Sequence, residues 1–68
     1  MPSVMQRGYA NQLRQMDDNS GRVLLSTQER MFVNGIVHEE SNWYNSDLDL
    51  GLELLTAKYM PWNQYHRP

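Results

Sequence analysis

The chain has 68 residues, Lys and Arg numbering 6 against 8 Asp and Glu for a net charge of −2, and no cysteine. That length suits one domain spanning 1–68 with a marginal core, because so short a chain buries only about 60% of the surface it exposes when unfolded. Disulfide staples and thiolate metal sites are excluded, which leaves well-packed helices or self-association as reinforcement.

No apolar run approaches the ~20 residues of a membrane span. Met1-Pro2-Ser3-Val4 also lacks a basic region followed by an apolar stretch, so a soluble, cytoplasmic protein without membrane contact is expected.

Met5, Tyr9, Leu13 and Met16 recur at intervals of four, four and three residues. They predict one face of a first helix over about 3–16. Asp17-Asp18-Asn19-Ser20-Gly21 should end it, since acids oppose the macrodipole at a helix C-terminus and Asp, Asn, Ser and Gly favour turns. Ser26-Thr27-Gln28-Glu29 has capping-box spacing and opens a second helix over about 27–40. Its apolar stripe is Phe32, Val33, Ile36 and Val37. Gly35, on the flank, reads either as a poor helix position or as a place where a neighbouring helix comes close.

Ser46 is the expected N-cap of a third helix over about 47–59, with Asp47 and Asp49 in its first turn and Pro61 beyond its end. Leu48, Leu50, Leu52 and Leu54 alternate as a strand would. The capping signals, the lack of β-branched residues and the stripe Leu48, Leu52, Leu55, Tyr59 favour helix. Leu50, Leu54 and Ala57 would then form a second apolar face, which calls for another neighbour; a homodimer is expected. The whole reads as an all-α fold of three short helices with an extended aromatic C-terminal tail, Trp62 folding back onto the core.

Catalytic and cofactor motifs are lacking. His38-Glu39-Glu40 has no second histidine at metal-ligand spacing, the serines are committed to caps, and the glycines are isolated. No catalytic residue, metal or cofactor is expected. What remains is recognition. Between Arg30 and Lys58 there is no lysine or arginine, while Glu39, Glu40, Asp47, Asp49 and Glu53 are interleaved with Trp43 and Tyr44. Such a surface suits a basic protein partner and repels polyanions. The alternative is nucleic acid, with Arg7 and Arg14 on one side of the first helix and Trp62, Tyr65 and Arg67 of the tail stacking unpaired bases.

The stretch Leu25-Ser26-Thr27-Gln28-Glu29-Arg30-Met31-Phe32-Val33-Asn34-Gly35-Ile36, followed by a Ser46-led segment ending Leu55-Thr56-Ala57-Lys58-Tyr59, resembles a small helical pattern of phage-encoded helicase-associated and recombination-associated proteins. Asp47 and Asp49 stand where that pattern carries basic or amide residues. The resemblance implies a bacteriophage protein. The size, the missing catalytic motifs and the acidic face fit a phage or mobile-element accessory protein that inhibits or redirects a host protein in the host cytoplasm, the alternative being a helicase- or recombination-related domain that binds single strands.

Overall fold

The computed structural model describes residues 2–66. It holds three α-helices, α1 (Val4–Asn19), α2 (Thr27–Val37) and α3 (Asn45–Tyr59), and no strand among the described residues. The all-α expectation stands, with bounds that differ at four of the six helix ends, the start of α1 by a single residue. Helix α1 packs against both α2 and α3. Ala10, Leu13, Val33, Ile36, Leu48, Leu52, Leu55 and Met60 form the shared core.

Ser3 caps α1 through a capping box that the sequence reading passed over. The Gln6 amide donates to Ser3 Oγ at 3.1 Å and the Ser3 amide donates to Gln6 Oε1 at 2.8 Å. Gln6 is fully buried, and its Nε2 donates to Asp49 Oδ1 at 2.9 Å, so one amide both caps α1 and ties it to α3. The buried face is accordingly Gln6, Ala10, Leu13 and Asp17. Tyr9 and Met16 are pushed to its edge and Met5 is exposed.

Helix α1 runs past residue 16 because Asp17 does not meet the negative helix end as a free charge. Its carboxylate turns inward, accepting from the Leu25 amide at 3.0 Å and from Arg30 Nε at 2.7 Å. The turn follows at Ser20 and Gly21, where φ is +83° and glycine avoids the Cβ clash.

The Ser26 capping box is present, with Glu29 N–H to Ser26 Oγ at 3.2 Å and Ser26 N–H to Glu29 Oε1 at 2.8 Å. Helix α2 ends at Val37 rather than near 40, in a Schellman turn. Glu39 takes φ +57°, the Glu40 amide donates to the Gly35 carbonyl at 2.8 Å and the Glu39 amide to Ile36 at 3.2 Å.

Helix α3 starts at Asn45, and Ser46 is not its N-cap. Tyr44 holds that position without a side-chain bond, its carbonyl accepting from Asp47 and Leu48. Ser46 lies inside the first turn, where its hydroxyl cannot play the capping part. Leu48, Leu52 and Leu55 are buried and Leu50 and Leu54 exposed, which decides the segment as a helix of period 3.6 and not an alternating strand.

The tight contact at a helix glycine falls at Gly51, not at Gly35, and is made by the Phe32 ring rather than by the backbone of a neighbouring helix. A Cβ on Gly51 would lie 2.5 Å from Phe32 Cζ, whereas one on Gly35 would meet only Ser41 at 3.8 Å. Beyond Pro61 the chain turns back, but the ring it returns to the core is Tyr65, 7% exposed, while Trp62 is 74% exposed.

Candidate interaction surface

The aromatic loop between α2 and α3 projects Trp43 and Tyr44 outward, Trp43 being 61% exposed. Trp43 meets the Phe32 ring edge-on, with centroids 5.7 Å apart and planes at 77°. Met31, one residue before the α2 core stripe, points away from the core and is 70% exposed. Met31, Phe32, Trp43 and Gln28 line a hollow of about 480 Å³. A second hollow of about 300 Å³ lies across Phe32, lined by Gly51, Leu54 and Lys58 among others. Phe32 is thus the ridge between two apolar depressions, and the short side of Gly51 lets its ring lie down against α3.

The expected acidic block is divided by the fold. Asp47 and Glu53 are exposed on α3. Asp49 is buried: it accepts from Gln6 and from the Tyr65 hydroxyl, and so belongs to the α1–α3 junction instead of the surface. A helix turns 100° per residue, so two carboxylates two positions apart point away from each other. Glu39 is joined to Arg7 at 3.1 Å, and Glu40 follows it in the Schellman turn. Glu40 and Asp47, both exposed, are the expected acids nearest in sequence to Trp43 and Tyr44, and of the two Asp47 is on α3.

The residues assigned to the nucleic-acid alternative do not assemble into one platform. Arg7 faces Glu39, and Arg14 lies 3.9 Å from Asp18. Tyr65 packs on Tyr9, centroids 4.7 Å apart, and is closed to a stacking base. Trp62 is open, and Arg67 lies outside the described residues. Tyr9 reinforces this arrangement by donating its hydroxyl to the Gln64 carbonyl at 2.8 Å. Burial and the bond to Asp49 push the Tyr65 phenol well above the usual tyrosine range.

A polar hollow of about 240 Å³ separates the end of α1 from α2, lined by Arg14, Asp17, Asp18, Arg22, Arg30 and His38 among others. Its charges answer one another. Arg30 holds Asp17 and also donates to the Leu25 carbonyl at 3.0 Å, while Arg22 lies 3.6 Å from Asp18. The Arg30 hydrogen bond, then the Leu25 amide, lower the Asp17 carboxyl to about 2. Asp17 in turn raises the Arg30 guanidinium.

Burial alone would raise Glu29. The Ser26 amide, the Tyr59 hydroxyl at 2.6 Å and Lys58 at 3.1 Å outweigh it and bring Glu29 to about 2. These carboxylates are structural ties rather than acids poised to exchange protons near neutrality. Among the described residues no group of three or more His, Asp or Glu side chains is placed to hold a metal ion. No described helix is long and apolar enough to cross a membrane.

Trp43, Tyr44 and Asp47 lie on the surface as the sequence suggests, Phe32 packs against the core as its stripe requires while also edging the hollow, and exposed Met31 was missed. The available signal was Met31, an apolar residue just off the core stripe of its helix. Compared with known proteins, the chain matches no family model, no curated protein and no solved structure.

Proposed function

We propose that the chain is a non-catalytic protein-binding module that grips a partner through the hollow between Met31, Phe32 and Trp43, with the exposed Tyr44 and Asp47 following Trp43 in sequence. The observation that carries the reading is the convergence of two large exposed apolar side chains, Met31 and Trp43, on the half-buried Phe32 ring. Burying such a side chain is worth roughly 1.5–3 kcal/mol, and binding energy concentrates in aromatic anchors of this kind. A flexible methionine beside them lets the hollow adapt its shape.

The partner is a protein with an apolar protrusion and basic residues near it. Asp47 then steers the encounter and fixes orientation more than it adds affinity. Together with the resemblance of 25–36 to phage-encoded proteins, this supports an accessory protein of a phage or mobile element that inhibits or redirects a host factor in the cytoplasm.

Affinity capture with the immobilised chain tests the reading. A protein retained by the wild type should be lost with Trp43→Ala and with Met31→Ala, each weakening binding by more than about 1 kcal/mol, and kept with Arg14→Ala and Trp62→Ala. Loss with Arg14→Ala and Trp62→Ala alone would move the functional face to the basic, tail-bearing side.

A further inference from the structure

The outer side of α3 carries a second exposed apolar feature that the hollow at Trp43 does not use. Leu50 and Leu54 lie there, Leu54 63% exposed, with Asp47 one turn before them and Lys58 one turn after. Positions 47, 50, 54 and 58 recur at three, four and four residues and so run down one side of the helix. Beside this row is the hollow of about 300 Å³ formed by Phe32, Gly51, Leu54 and Lys58.

We infer that this side of α3 docks a second copy of the same chain, with the two α3 helices antiparallel. The charges at its ends select that occupant and that direction. Setting Leu50 of one copy against Leu54 of the other places the two-fold axis at the level of Leu52. Asp47 is five residues before that level and Lys58 six after it. At about 1.5 Å of rise per residue the two lie at nearly equal distances from the axis. Each Asp47 therefore meets the Lys58 of the other copy, twice over, as an isologous interface requires.

A parallel pair would set Asp47 against Asp47 and Lys58 against Lys58, which is repulsive. Lys58 contacts Glu29 within its own chain, yet its side chain is 61% exposed and can serve both carboxylates. The hollow between Phe32, Leu54 and Lys58 receives a leucine of the other copy, knob into hole. Pairing also adds apolar burial to a fold whose core is small for want of chain length.

This inference stands apart from the partner reading, since its test uses the purified full chain alone. Sedimentation equilibrium should give a dimer in the micromolar range. Leu54→Glu should raise the dissociation constant about tenfold or more, with an unchanged far-UV circular dichroism spectrum, and Gln12→Ala, at an exposed position on α1, should leave it unchanged. Direction is read separately. Because the chain has no cysteine, disulfides formed on oxidising an equimolar mixture of Asp47→Cys and Lys58→Cys chains report only the engineered positions. Random pairing of an equimolar mixture would already make about half of the product 47-to-58, so the 47-to-58 product should clearly exceed the sum of the two like-position products, a result that decides the matter even if Leu54→Glu fails to fold. A monomer at every accessible concentration, a dimer indifferent to Leu54→Glu in its folded state, or a 47-to-58 share of about one half or less would overturn it.

Discussion

Gly51→Ala should reverse its effect depending on what stands at position 32. In an exposed helix interior, replacing glycine by alanine gains about 1 kcal/mol from helix propensity. Here the new methyl would sit 2.5 Å from Phe32 Cζ and 2.9 Å from Cε2, so the ring must move. It cannot move freely, since its edge also meets Trp43. Overpacking of this kind costs about 1–3 kcal/mol, which leaves a net destabilisation of roughly 0–2 kcal/mol once the propensity gain is subtracted. In a Phe32→Ala background the obstacle is gone, and Gly51→Ala should stabilise by about 1 kcal/mol. The coupling between the two substitutions is then about 1–3 kcal/mol, measured as a double-mutant cycle from urea unfolding followed by far-UV circular dichroism. Equal stabilisation in both backgrounds would mean that Phe32 does not rest on Gly51, and the ridge between the two hollows would have to be abandoned.

Ser3→Ala and Ser26→Ala should each lower stability by about 0.5–2 kcal/mol, whereas Ser46→Ala should stay within about 0.5 kcal/mol, because only the first two accept a capping amide. Asp17 and Glu29 have folded pKa values of about 2, below those of the unfolded chain. Their contribution is fully present above pH ~4.5 and is lost as pH falls towards about 2, so the thermal midpoint should drop across that window, and Asp17→Asn should make the drop shallower. Tyr65→Phe should destabilise by about 1–3 kcal/mol in urea titrations by taking a hydrogen bond from the buried Asp49 carboxylate; a neutral result would remove Tyr65 from that junction.

The apolar period carried most of the fold. Val33 and Ile36, and Leu48, Leu52 and Leu55, fall where a spacing of 3.6 puts them, and the Ser26 box opens α2 as its spacing requires. Buried polar residues were harder to read. Gln6, Asp17 and Asp49 look like surface groups in sequence, yet they anchor the α1–α2 and α1–α3 junctions because their partners, Arg30, Gln6 and Tyr65, come from elsewhere in the chain. Those long-range bonds shifted the buried face of α1, carried α1 past residue 16 and drew Asp49 out of the expected acidic surface. Ser46 misled for a local reason: Tyr44 and Ser46 both precede the leucine run, and only the backbone decides which of them is the half-turn outside the helix. Trp43 was legible as a loop aromatic, but its pairing with Phe32 depends on Gly51, a contact no local pattern encodes.

Site-specific photo-crosslinking within living cells tests the recognition surface most directly. A photoreactive phenylalanine replacing Met31 or Trp43 should give a discrete crosslink to one other protein, and the same residue replacing Gln12 or Trp62 should give none. Crosslinks from Gln12 or Trp62, with positions 31 and 43 silent, would contradict the account.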